Sequence, residues 1–193
     1  MRSRSIALLP GRRGQSAVEH AARFALARTP GLHRSTRGRR VRSVTVAIRH
    51  ARPSDYGRVI GRVNVWWGGR DMAPVLPQLF FLHFEGTSFV AEDKEGGLAG
   101  FLCGFLSQTN SEEAYIHFVG VSPEHRGEGV GRSLYEHFFE EAREHDRSLV
   151  RCVTSPANAD SVAFHRALGF DVERVAKDYD GPGKDRVLLV KRL

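Results

Sequence analysis

Within eleven residues the chain changes character. An alternating apolar run ends at Val121, Ser122-Pro123 interrupts it, and glycines stand at 127, 129 and 131 before a long amphipathic stretch. Pro123 is tolerated because it falls just past the strand, where no ladder donor is lost. Val130, Leu134, Phe138 and Ala142 recur every four residues. Glu136, Glu140, Glu141, Arg143 and Glu144 fill the other face, so the spacing predicts a helix over 130–145 with one buried stripe. A glycine-rich segment that follows a strand and opens a helix is the context in which such a segment binds phosphate. Missing side chains let phosphates reach backbone N–H groups and the positive helix N-terminus without a metal. Arg126 and Arg132 stand where they can add charge-assisted bonds. The alternative reading of the same residues is a tight turn that packs the helix closely.

The surrounding pattern supports an α/β fold. Val44–Arg49 alternates as a strand, and Arg52-Pro53-Ser54-Asp55 opens a helix to about Trp67, with Ser54 or Asp55 as cap. Pro77–Phe84 reads as a second helix whose Leu79–Leu82 run belongs in the core. Strands follow at 88–92, 98–106 and 114–121, then 149–153 after the long helix. A helix over 159–168 and strands at 170–175 and 186–191 complete the order βααβββαβαββ, a sheet of mixed direction with helices on its faces.

Composition separates an arm from a body. Residues 1–43 hold 11 arginines, no lysine and one acid (Glu19), a net +10; the remaining 18 basic and 21 acidic side chains leave 44–193 at −3. The body therefore carries no electrostatic case for nucleic acid. The arm is too poor in apolar residues to bury a core and is expected to be disordered. An organelle transit peptide and an over-called translation start compete with that reading. No apolar run approaches the roughly 20 residues of a membrane span. Cys103 and Cys152 lie in strand-like apolar runs, as reduced buried thiols of a cytoplasmic protein would, and their spacing does not suggest zinc.

Val121-Ser122-Pro123-Glu124-His125-Arg126-Gly127-Glu128-Gly129-Val130-Gly131 closely resembles the first signature of the GNAT superfamily of N-acetyltransferases. Asn158 through Phe170, an Asn, a helix and a Gly-Phe exit, is similar to the second. The resemblance covers roughly 44–193. It implies a mixed, mostly antiparallel sheet of about seven strands with helices on both faces. It also implies acetyl-CoA as cosubstrate, no metal, and an amine acceptor. By this resemblance Val119, Gly120 and Val121 pair with the pantetheine amides, the N–H near Val119 polarising the acyl carbonyl. Residues Arg126, Gly127, Glu128, Gly129, Val130, Gly131 and Arg132 hold the pyrophosphate. Asn158, Phe164 and His165 lie on the pantetheine side, Asn158 being also a natural helix N-cap.

Amine acylation needs an ammonium to lose a proton and a thiolate to leave. His117 is the base candidate, expected to share one strand face with Tyr115, Val119 and Val121. It sits where some members of the superfamily place a catalytic histidine. The second signature usually carries an acidic tyrosine seven residues after the Asn; here that residue is His165, the candidate acid. Trp66, Trp67, Arg70 and Asp71, with Tyr115, are the acceptor-site candidates. A tryptophan face and Asp71 suit a cation, and Arg70 suits a carboxylate or phosphate. The competing use of the tryptophans is one in the core and one at a homodimer seam. The turn-rich loop at 178–185 reads as a solvated hairpin, the alternative being a border of the acceptor site. The competing function is a catalytically idle acyl-CoA-binding regulatory module, supported by the missing tyrosine.

Overall fold

The computed structural model describes residues 46–193; the arm expected over 1–43 lies outside them, as do Val44 and Thr45 of the first expected strand. The elements run β1 (Ala47–His50), α1 (Asp55–Trp66), α2 (Leu79–Leu82), β2 (Phe89–Glu92), β3 (Leu98–Leu106), β4 (Glu113–Val121) and α3 (Val130–Glu144). They continue with β5 (Leu149–Thr154), α4 (Ala159–Ala167), β6 (Asp171–Ala176) and β7 (Arg186–Arg192). The sheet has seven strands in the order β1-β2-β3-β4-β5-β7-β6. Every pairing is antiparallel except β4 with β5.

Strand alternation sends side chains into two cores, one on each face of the sheet. The α3 stripe Val130, Leu134, Phe138 and Ala142 packs with Leu102, Ile116 and Val150 on one face. On the other, Val59, Val63 and Trp66 of α1 pack with Phe81, Phe101 and Cys103. Each fully buried Leu or Phe contributes roughly 1.5–3 kcal/mol, so these two layers hold the sheet's helices in place.

Side-chain charge fixes the start of α1. Ser54 makes no capping bond. Asp55, 2% exposed, instead accepts the Arg52 N–H at 2.8 Å and binds the Arg49 guanidinium through both oxygens at 2.7 and 2.9 Å. Arg49 and Arg58 both reach Glu92, joining β1, α1 and β2. Burial pushes the Asp55 carboxyl up, but the Arg49 and Arg52 hydrogen bonds outweigh it and hold it below the ordinary value.

Two expectations are corrected. The second helix is a single turn, Leu79–Leu82, between 3₁₀ turns at Ala73–Val75 and Glu85–Thr87. Pro74 and Pro77 lack N–H donors and Gly86 is a weak helix former, so the longer helix does not propagate. Phe80 and Phe81 are buried, but Leu79 and Leu82 of the expected core run are 41% and 44% exposed. In β4, the ladder to β3 runs to Phe118↔Cys103 and resumes at Ile116↔Gly104, leaving His117 as a bulge. The extra residue resets the alternation. Ile116, Val119 and Val121 pack toward α3, whereas Tyr115 stacks on Phe105 and Phe118 on Phe101, on the α1 side. The single face expected for Tyr115, His117, Val119 and Val121 does not exist.

Candidate active site

The β4–β5 ladder stops after three pairs, Glu113 to Tyr115 against Leu149 to Arg151. From Ile116 to Val121 the β5-facing edge of β4 has no partner strand, and the two strands open into a wedge. Adding an extended chain to such an edge satisfies backbone groups that β5 has abandoned. Val119, Gly120 and Val121 line the open stretch, as expected. A Cβ at Gly120 would come within 2.5 Å of Phe101 and 2.8 Å of Trp67, so only glycine admits these rings against β4.

At the end of the wedge the chain turns through Ser122–Arg126 into α3. Gly127 and Gly129 hold φ of +79° and +89°, values that strain any residue with a Cβ, and no other atom crowds their open sides. The first bond of α3 is Ser133 N–H to the Gly129 carbonyl. Among the described residues, the amides of 127–132 find no hydrogen-bond acceptor, so they and the helix N-terminus are free to receive an anion. Glu128 does not intrude on them. Its carboxylate lies 3.0 Å from His125 Nδ1, and the other ring nitrogen is 3.7 Å from Asp93.

The arginines serve the scaffold. Arg126 donates to the carbonyls of Trp66 at 2.8 Å and Val121 at 3.4 Å, tying the loop to the end of α1. Arg132 donates to the Ala167 carbonyl at the end of α4. Their expected phosphate bonds would therefore compete with backbone acceptors already in place. A groove of about 610 Å³ lies on the α1 side of this loop, between Arg58, Arg62, Asp93 and His125, and its Arg58 binds Glu92 and the Gly96 carbonyl.

Helix α4 closes the far side of the wedge. Asn158 accepts the Ser161 N–H at 3.2 Å, which is the N-cap bond. Phe164 is 38% exposed and lies beside Gly131 and Val121. His165 is placed differently from a proton donor to the wedge. It is 6% exposed, its Nδ1 donates to the Ser161 carbonyl at 2.6 Å, and its Nε2 accepts the Tyr135 hydroxyl proton at 2.8 Å. A carbonyl only accepts, which sets this tautomer. Burial lowers the His165 pKa, so the ring is neutral and has no nitrogen left for a thiolate.

His117 is exposed because the bulge lifts it from the ladder. Its ring stacks on Phe80 at 4.7 Å, and Nε2 donates to the Val75 carbonyl at 2.8 Å, leaving Nδ1 with a free lone pair. Phe80 and the Val75 carbonyl are site groups that the apolar pattern had hidden among core residues; the bulge that calls for them leaves no local signal. Tyr115 sits where β4 and β5 part. Burial, followed by the charges of Tyr179, Cys152 and Asp180, pushes its hydroxyl up, so it stays protonated.

The tryptophans separate. Trp66, 7% exposed, stacks on Phe101 in the core and offers only its carbonyl, which corrects its expected contact with acceptor. Trp67 is half-buried on Phe118, beside the open stretch of β4. Arg70 donates to the Trp67 carbonyl, and Asp71 accepts from Asn64. Asn64 also accepts the N–H groups of Met72 and Ala73, shaping the loop after α1. Cys103 and Cys152 are free and buried, and burial pushes both thiols up, so neither is a nucleophile. Among the described residues no group of three His, Cys, Asp or Glu side chains is placed to hold a metal, and no helix is long and apolar enough to cross a membrane.

Comparison with known proteins bears on the whole arrangement. Residues 47–170 match the family described as "Acetyltransferase (GNAT) family". The chain is 32% identical over 85 residues to the L-2,4-diaminobutyric acid acetyltransferase of Nocardia farcinica, covering 44% of each chain. It is 34% identical over 86 residues to the streptothricin acetyltransferase of Streptomyces lavendulae, covering 45% of each. The chain thus spans less than half the length of these two relatives. Among solved structures, Chaetomium thermophilum Naa20 in complex with a bisubstrate analogue is similar at 26% identity and a TM-score of 0.64, over 77% of this chain and 87% of that one.

Proposed function

Because the chain belongs to the acetyltransferase (GNAT) family, we propose that it transfers the acetyl group of acetyl-CoA to a primary amine by direct attack of that amine on the thioester. One observation carries the reading: the wedge opened by the short β4–β5 ladder leads at one end to the free amides of 127–132 and at the other to His117. The amides bind the pyrophosphate of the donor, and the free edge of β4 takes its pantetheine arm as an added strand. An N–H at Val119 then lies along the path of the thioester carbonyl and stabilises charge developing on its oxygen.

His117 is the base in this reading. An alkyl ammonium near pKa ~10 is mostly protonated at neutral pH and must shed a proton before attack. With Nε2–H committed to Val75, Nδ1 accepts that proton, directly or through one water. The amine nitrogen bonds to the acetyl carbon, the C–S bond breaks, the acylated nitrogen gives its extra proton to solvent, and the thiolate takes one from solvent, since both His165 nitrogens are engaged. Tyr115 and Trp67 flank the acceptor. Reduced buried thiols and this donor suit work in the cytoplasm, and the open edge of β6, where Val175 is 58% exposed, suits a homodimer seam.

Thermal denaturation with and without acetyl-CoA, followed by thiol release against an amine panel, tests the reading. Stabilisation together with amine-dependent release is expected. Stabilisation without release for every class of amine would instead identify an idle acyl-CoA-binding module.

A further inference from the structure

We infer that the acceptor is an amine carrying an aromatic or otherwise apolar body and no second charge; this rests on the acetyltransferase reading above. The basis is a cavity of about 380 Å³ next to His117, walled by Leu79, Phe80, Phe84, Phe105 and Leu106 and rimmed by uncharged polar residues. Phe80 belongs to both places, forming a cavity wall and stacking on the imidazole at 4.7 Å. An amino group at His117 thus has an apolar hollow one aromatic ring away to receive its substituent. The volume lies within the ordinary range for small-molecule sites, about 300–1,000 Å³.

Aromatic packing makes the hollow rigid. Phe84 lies 5.4 Å from Phe80 and 5.7 Å from Phe105, and Phe105 stacks on Tyr115 at 5.3 Å. Leu79 stands 41% exposed at the mouth, without the core partner that its neighbour Phe81 has.

Charge excludes the alternatives. The residues that line the cavity are apolar or uncharged polar, so none offers a charge to an acceptor carboxylate or to a second ammonium. A diamine or an amino acid would leave one of its charges desolvated and unpaired, at a cost that a neutral apolar body does not incur.

The test is kcat/KM for four primary amines at saturating acetyl-CoA: 2-phenylethylamine, ethanolamine, putrescine and β-alanine. The expected result is a value for 2-phenylethylamine at least about tenfold above each of the others, the discrimination that apolar pockets commonly reach. Leu79→Gln should lower that value about tenfold by the same argument while the KM for acetyl-CoA stays unchanged. A polar amine that matches or exceeds 2-phenylethylamine overturns this inference and leaves the acetyltransferase reading intact. No thiol release with any of the four overturns this inference, and it overturns the acetyltransferase reading as well only if every other class of amine also fails in protein that acetyl-CoA still stabilises.

Discussion

The hydroxyl of Tyr135 donates to Nε2 of His165 across 2.8 Å, linking α3 to α4 inside the core. Tyr135 is 2% exposed and His165 6%, so each is the other's replacement for water. His165→Phe strands the hydroxyl and should cost about 1–3 kcal/mol of stability, as should Tyr135→Phe for the opposite reason. The double variant should lose less than the sum, because removing both partners leaves no orphan. Chemical denaturation of the three variants measures this. A sum that is simply additive would argue against the bond's importance.

The same ring makes stability depend on pH. Its folded pKa is lowered from 6.5 by burial, so below that value the unfolded chain binds a proton that the folded chain does not. The contribution is complete above about pH 6.5 and is lost as pH falls through the folded value. His165→Phe should flatten this part of the stability profile. It should also leave the pH dependence of kcat unchanged; loss of the alkaline limb would restore an acid role to His165.

Gly129→Ala places a Cβ at φ +89°, where an L-residue is strained by about 1–2 kcal/mol. Relief of that strain turns the amides of 127–132 away from a common centre. The dissociation constant for acetyl-CoA, measured by calorimetry, should rise about tenfold or more, since 1.4 kcal/mol is a factor of ten. The change in melting temperature should be small, because the loop's open side touches nothing.

His117→Gln keeps a hydrogen-bonding side chain near Val75 and removes the titrating group. A positioned general base is worth roughly 10²–10⁴-fold, and a loss of that order in kcat/KM is expected. The stabilisation by acetyl-CoA should persist. An unchanged kcat/KM would move the base elsewhere.

Asp55→Asn breaks a partly buried ion pair and leaves Arg49 with Glu92 alone. Removing one partner of a fully buried pair costs about 3–5 kcal/mol, and solvent at Arg49 should bring the loss here below that range. In the parent chain the carboxyls of Asp55 and Glu92 are held below their ordinary values of 3.8 and 4.5. Their contribution is therefore present above those values and lost as pH falls through the lower folded ones. Acid titration by circular dichroism should show a shallower loss below about pH 4.5 in the variant.

Much of this molecule is legible from local chemistry. The four-residue stripe of α3, the proline after β4, the glycines at 127 and 129 and the Asn158 cap each report on residues a few positions away. So the element order and the anion site follow from the chain alone. Three features do not. The bulge at His117 exists because β3 pairs across it, and a period of two read along β4 cannot register a partner's shift. Trp66 and Trp67 differ in fate because α1 rotates one onto Phe101. His165 meets Tyr135 thirty residues earlier in the chain, a contact set by how α3 and α4 lie on the same face of the sheet. Short-range sterics and backbone hydrogen bonding decided the glycine turn into α3 and its free amides. Long-range pairing and packing decided that His117 stands exposed on a bulge while His165 is buried against Tyr135.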